Sequence, residues 1–497
     1  MTDRALHRLR TRPDLAELAA FPFDFDLDRA EHAEAVRLAS GARLTAIAGD
    51  GTGGTYFVCG EGPDGPVLYA SSEGRAGLIG DTVDETLEIL IGLPGWRDHV
   101  RLSPADGEAR ILAAVKRIED EIREMCAPDM DARRARLRRS LGLPDRSAVE
   151  LIGRLHDCLL RTDPDHLLLH DAELVAAGPL DPHPRAPLWE TVLKPGRADL
   201  ARWRAAGSPA VTRTTGDPVR RATVLRAAQF DRRRNDLLLL RRLLTAEADD
   251  ASGLTEELRL AVVLVGVHGL AEDVSLLRGL RGRNSALRWG LHPWPDGAAE
   301  LAEWARGLDR AHFGEDLEAQ SPLLWTGLAR RQGRTETARS TLIRLLDDTG
   351  PDADRLAGLR RELELLGDHP QAARAQALWV SLQERPSDRG TGRLHLALLR
   401  RCAGDLSGAW EAVRQACADL DEGQGDWRRR RVGHIVVEEQ LRISVAAAGE
   451  GRTDLAHESL TATKVLMKRA KWQVNAGIGE LAQEAKWAVA RMKGRHG

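Results

Sequence analysis

Residues 49 to 54 read GDGTGG, and Gly49, Gly51 and Gly54 satisfy the spacing GxGxxG. In that spacing a glycine turn lets backbone amides close on a pyrophosphate, provided that a strand enters the turn and a helix leaves it. A second constellation, DPDHLLLHDAE at 163–173, sets His166 and His170 four residues apart among Asp163, Asp165 and Asp171, with His156 and Cys158 upstream. On one helix face, imidazoles so spaced would ligate zinc. Glu73 and Asp98 are of the type that serves as acid and base, but nothing in the sequence brings them together. The sequence has no GxSxG, no HExxH, no nucleophilic-cysteine signature and no Walker lysine after a glycine loop. An enzyme is therefore not expected, and no cofactor or metal is assigned.

The elements around the glycine turn decide its chemistry. Thr55-Tyr56-Phe57-Val58-Cys59 follows it, a run with strong strand preference and no helix start. GEGPDGP then turns the chain into Val67–Ala70, which predicts an antiparallel hairpin. The turn Ser71–Gly74 precedes a third short strand over Ala76–Ile79. Asp81 is the candidate N-cap of the next helix, with Asp84 and Glu85 in its first turn, Val83, Leu87, Leu90 and Ile91 at helical spacing, and Gly92 and Pro94 as the stop. The order from residue 43 is strand, glycine turn, three strands, helix: an α+β unit, not a βαβ crossover. The glycines Gly49, Gly51, Gly53 and Gly54 are then a flexible or positive-φ turn that brings two strands into register. Pro164 and the leucine triplet likewise place His166 and His170 on a loop and a short buried element, so zinc is not expected there.

Those residues carry a resemblance. GDGTGGTYFV, VLYASSEG and AGLIGDTVDETLEILIGLPGWRD look like the SUKH (Smi-Knr) superfamily of bacterial immunity-type domains. The matching features are Gly49-Asp50-Gly51 entering a strand, the strand and turn from Tyr69 to Gly74, and Leu78 to Leu93 with Pro94 and Trp96. The resemblance covers about the first 105 residues and is strongest from 43 to 101; Gly95 departs from it, standing where an aromatic is expected. It implies a binding protein that neutralises a toxin domain by occlusion. The candidate contacts are Asp50, Glu61, Asp64 and Glu73, acidic residues in the loops at the hairpin ends.

Charge fits such a partner. Residues 1–100 hold 9 Lys and Arg against 17 Asp and Glu, a balance of −8 in a chain whose net charge is −3. An acidic surface repels nucleic acid and favours basic proteins, so a basic toxin domain is the expected partner and nucleic acid is not. The charged amino-terminal residues and an apolar maximum of only AVVLVGV at 261–267 predict a cytoplasmic chain without a membrane partner. Five cysteines without a CxxC pair predict reduced, mostly buried thiols.

At 497 residues the chain is too long for one core. An α+β domain is predicted over 1–105, followed by a helical and loop-rich connection over 106–215, with loops from 178 to 220. HEAT-like helical hairpins are predicted over 216–320, VHGLAEDVSLLRGL at 267–280 being one turn of them. Degenerate tetratricopeptide-like repeats are predicted over 321–497. In those repeats Gly333, Gly367, Gly404 and Gly451 stand 34, 37 and 47 residues apart. Each is followed five residues later by an alanine, Ala338, Ala372, Ala409 and Ala456, and preceded by eight by Trp325, Leu359, Leu396 or Ile443. This spacing predicts helical hairpins in which glycine ends the first helix and alanine lets the second pack closely. Stacked hairpins make platforms for proteins, so a scaffold or adaptor is the alternative, and a nucleotide-dependent switch the third. The arginine runs 232–234 and 428–431 and the basic tail 464–497, with Trp472 and Trp487 interleaved, are of the kind that docks nucleic acid or an acidic partner, but the expected reading is the solvated face of a final capping helix with its tryptophans in the core.

Overall fold

The strands of the first third alternate as a sheet covered on both sides requires. In the computed structural model, which describes residues 4–206, 214–423, 426–470 and 476–493, five strands pair in the order β2-β3-β4-β5-β7. They are β2 (Leu44–Gly49), β3 (Thr55–Cys59), β4 (Val67–Ala70), β5 (Arg75–Gly80) and β7 (Gly178–Pro179); the first four are antiparallel and β7 joins β5 in parallel. Tyr56, Val58, Val67, Tyr69 and Ile79 point into one core, and Phe57, Cys59, Leu68, Ala70 and Leu78 into another. Successive strand side chains face opposite ways, so a run of five buried residues such as 55–59 reports cover on both faces. Helices α1 (Arg4–Thr11) to α6 (Ala148–Leu160) supply the first cover. The two-stranded sheet of β1 (Val36–Leu38) and β6 (Leu168–His170) supplies residues to the second.

Helix α3 (Val83–Gly92) starts one residue later than expected. Its N-cap is Thr82, whose hydroxyl accepts from Glu85 N at 3.1 Å, while Asp81 N donates to the Glu85 carboxylate at 3.2 Å. Residues 106–160 are not a connection. Helices α4 (Glu108–Met125), α5 (Met130–Leu141) and α6 put Ile111, Val115, Leu137, Leu151, Leu155 and Leu159 into the same core as α3, which only tertiary packing decides. The loops expected between 178 and 220 contain a helix, Leu188–Ala206, with Pro195 inside it. Its Gly196 serves close helix packing, since a Cβ there would stand 2.4 Å from Thr223 O. Gly95 is likewise required: its φ is +67°, and an added Cβ would come within 2.8 Å of Ile118.

The chain divides into two compact units, Met1–His183 with Arg339–Gly497, and Pro184–Ala338. These borders differ from those expected at 105, 215 and 320. The second unit is helical, and its helix Glu256–Gly266 is buried on every side over the apolar run from Leu260 to Gly266, while Glu256 in its first turn stays exposed. Within the first unit, Ile343 packs with Leu167, Leu169 and Ala176, and Arg344 bonds the Asp163 carboxylate at 3.0 Å and Ala177 O at 2.7 Å.

The four repeated glycines end helices as their spacing predicts. Gly333, Gly367, Gly404 and Gly451 have φ between +74° and +82°. After each, the next amide reaches back five residues, Arg334 N to Ala329 O, Asp368 N to Leu363 O, Asp405 N to Arg400 O and Arg452 N to Ala447 O, at 2.8–3.0 Å. That is the Schellman cap, formed four times. Ala338, Ala372, Ala409 and Ala456 are fully buried, as are Leu359 and Ile443. Where the repeat has Ser444, its hydroxyl donates to Ala456 O at 2.8 Å and joins the two helices of a hairpin.

Candidate functional site

The glycine turn binds an anion, and the anion is its own. Asp50 is 1% exposed, and its Oδ1 accepts from Thr52 N at 2.8 Å, Thr52 Oγ1 at 2.8 Å and Gly54 N at 3.0 Å. These are the amides that a phosphate would need. The turn then enters β3, and a Cβ on Gly54 would lie 2.0 Å from the Tyr69 hydroxyl oxygen. Tyr69 OH donates to Asp50 Oδ2 at 2.6 Å. Arg97, from the 3-10 turn Trp96–His99, bonds the same oxygen, Thr52 Oγ1 at 2.7 Å and Asp24 at 3.3 Å. Trp96 donates from Nε1 to Tyr56 OH at 3.1 Å and stands edge-on to Tyr69, with centroids 5.1 Å apart.

The electrostatics follow from this geometry. Burial pulls the Asp50 carboxyl upward, but the bonds from Tyr69, Arg97 and Thr52 outweigh it and hold the group below the usual carboxylate range. Burial, reinforced by the adjacent Asp50 carboxylate, pushes the Tyr69 phenol up to about 12. Burial also raises Asp24, against the pull of Arg97. Asp50 is thus an ionised internal anchor, not the exposed contact residue that its loop position suggested.

The other three candidates are exposed. Glu73 sits in the β4–β5 turn, where the Ser71 hydroxyl accepts from Glu73 N and Arg75 N. Ser72 Oγ donates to Thr52 O at 3.0 Å, so this turn is tied to the glycine turn. Glu61 and Asp64 lie in the β3–β4 loop at the opposite end of the strands. Five strand residues separate the two ends by about 15 Å. The four acids therefore do not share one surface: Asp50 and Glu73 occupy one end of the hairpin, Glu61 and Asp64 the other.

The histidine constellation is dispersed. Asp163 pairs with Arg344, His170 Nδ1 contacts Glu34 at 3.0 Å, and His156 stands edge-on to His183 at 4.4 Å. Among the described residues no group of three or more His, Cys, Asp or Glu is arranged to hold a metal ion. Glu73 and Asp98 lie on different turns, and no hydrogen bond joins them. The arginine runs are largely paired: Arg232 grips Asp309 at 2.7 and 2.9 Å, Arg429 bonds Asp426, and Arg428 bonds Asp421 while lying over Trp427 at 4.6 Å. Trp487 is 59% exposed, because the buried stripe of its helix is Ile478, Ala485, Val489 and Met492; Trp472 lies outside the described residues.

Two features escaped the sequence. Arg97 is one, since its partner Asp50 is 47 residues away and only the Leu-Pro-Gly-Trp-Arg stretch marked its neighbourhood. The other is a groove of about 660 Å³ among helices Leu406–Glu422, Arg431–Gly449 and Thr453–Ala470, where Trp410, Trp427, Val465 and Leu466 meet Arg414 and Arg469. In comparisons with family models, with curated proteins and with solved structures, nothing matches this chain. No helix of the described residues is long and apolar enough to cross a membrane.

Proposed function

We propose that this protein is a non-enzymatic, immunity-type binding protein of the bacterial cytoplasm, in which a SUKH-like α+β domain covers a basic toxin domain and degenerate tetratricopeptide and HEAT-like repeats follow. One observation carries the reading. Glu61, Asp64 and Glu73 are exposed on the sheet's loops with no ion pair to a described residue, whereas neighbouring carboxylates such as Asp14, Asp26, Asp81 and Glu88 are held by arginines. Unpaired loop carboxylates can meet a basic partner without first breaking an internal bond, and they speed its encounter. The β3–β4 loop is the better contact, because the opposite end is tied down through Asp50, Thr52 and Ser72.

The test begins with the genes that flank this one. A basic toxin encoded there should lose its toxicity on co-expression with this protein and bind it in calorimetry. Glu61→Lys with Asp64→Lys should weaken that binding about tenfold, mostly through a slower and less salt-sensitive association. Full protection by the double variant would overturn the assignment of the loop, and absence of binding to the neighbouring gene product would overturn the immunity reading.

The groove beside Trp410 and Trp427 favours a second reading, a scaffold that holds a peptide among the repeats. A nucleotide-dependent switch has less support, since the Thr52 and Gly54 amides already bond Asp50. Saturable nucleotide binding that a Gly54 substitution abolishes would restore it.

A further inference from the structure

The second unit carries a pocket of about 480 Å³ beside the end of helix Ala271–Arg283. Its lining side chains are the guanidiniums of Arg278, Arg281 and Arg288, the indoles of Trp289 and Trp294, and the imidazole of His292; Gly282 adds only backbone. Every lining side chain thus ends in a planar π group, and none is a carboxylate.

The charge there is uncompensated. Elsewhere in this unit arginines find acids: Arg204 bonds Asp236, Arg220 bonds Asp199, Arg221 bonds Glu247, Arg226 bonds Glu256, Arg232 bonds Asp309 and Arg241 bonds Asp273. Arg278, Arg281 and Arg288 make no ion pair with a described carboxylate. Instead Arg288 donates to Gly282 O at 2.8 Å, and Arg281 lies over Trp294 at 5.8 Å. Trp294 is fixed in turn by its Nε1 bond to Leu287 O at 3.2 Å and by Trp304, with ring centroids 5.0 Å apart. Trp294 is thus held from two sides, and beside it Trp289 leaves 75% of its surface in water.

We propose that this pocket binds single-stranded nucleic acid, with one base stacked on Trp289 and adjacent phosphates on Arg278, Arg281 and Arg288. Guanidinium forks match phosphate oxygens, and an exposed indole offers a stacking face that any base can use. An acidic peptide would satisfy the charges but would leave the exposed face of Trp289 without the planar partner that a base supplies. The acidic first hundred residues bear on another part of the chain, so the expectation of no nucleic acid drawn from them does not extend to this pocket.

Fluorescence anisotropy of the full chain with labelled 15-nucleotide oligo(dT) and oligo(U) tests the proposal. Saturable binding of at least one, at about micromolar affinity in low salt, is expected, with log K falling against log salt at a slope of about −2 for three phosphates. Trp289→Ala should weaken binding roughly tenfold and Trp289→Phe should restore most of it. Arg278→Gln should reduce the slope by about 0.7. Both positions are exposed, so thermal melts should match the parent protein and separate lost binding from lost folding. The proposal is overturned by absence of saturable binding, by unchanged affinity in the Trp289→Ala and Arg278→Gln variants, or by a 15-residue polyglutamate that competes as well as the oligonucleotides, which would make the site one for acidic peptides.

Discussion

Asp50 shows how one carboxylate can serve structure where its sequence context suggested contact. It satisfies two backbone amides, two hydroxyls and one guanidinium, so its loss leaves several buried groups without a partner. Asp50→Ala should destabilise the first unit by about 3 kcal/mol in urea unfolding, near the lower end for a broken buried pair because Arg97 is partly exposed. The pH dependence has a definite sign. A carboxyl held below its ordinary value binds its proton more weakly in the folded chain than in the unfolded one. Its contribution is therefore complete at neutral pH and is lost as pH falls below about 4 through the folded value. Asp50→Asn should flatten that acid limb of a stability–pH curve. By contrast Glu61→Lys, Asp64→Lys and Glu73→Lys, on exposed side chains, should each shift stability by no more than about 0.5 kcal/mol in the same assay.

At the scale of elements, the repeated hairpin is the part most fully written in the chain. Such a hairpin needs one residue with positive φ for its Schellman cap and one close-packing position in the next helix, and both recur at Gly333/Ala338, Gly367/Ala372, Gly404/Ala409 and Gly451/Ala456. Nothing lies within 4 Å of a Cβ added at Gly404, so Gly404→Ala isolates the backbone term and should cost about 1 to 2 kcal/mol in thermal or urea unfolding. Asp405→Ala, which removes the N-cap bond to Gly408 N at 2.8 Å, should cost about 1 kcal/mol. The β hairpin was legible for the same reason, its strands and turns being set by neighbours in sequence. The helix Leu188–Ala206 was not, because Pro195 and Gly196 read as loop residues until the packing of Gly196 against Thr223 gives them a reason.

At the scale of the molecule, the first unit is built from both ends of the chain. The Arg344–Asp163 pair joins residues 181 apart and the buried Ile343 packs beside it, so the sheet-bearing segment alone leaves Leu167, Leu169 and Ala176 without part of their cover. Ile343→Ala should destabilise this unit by about 2 to 4 kcal/mol. A chain ending at residue 338 should melt at a lower temperature than the full protein and bind an apolar dye, and a melt unchanged from the parent would count against the shared unit.

The sequence by itself determined what depends on short-range patterns: an α+β beginning, an antiparallel hairpin around a glycine turn, a helical remainder, and four glycine-capped hairpins. Tertiary structure alone decided which residues meet across the fold. It turned Asp50 inward onto Arg97, set Glu61 and Asp64 at the end of the strands opposite Glu73, drew helices α4 to α6 into the first core, and left Arg278, Arg281 and Arg288 together without an acid. The physical reason is range. Propensity, capping and periodicity act over a few residues, whereas burial and ion pairing act on whatever the folded chain brings together, and no local pattern encodes which of its many acids an arginine will meet.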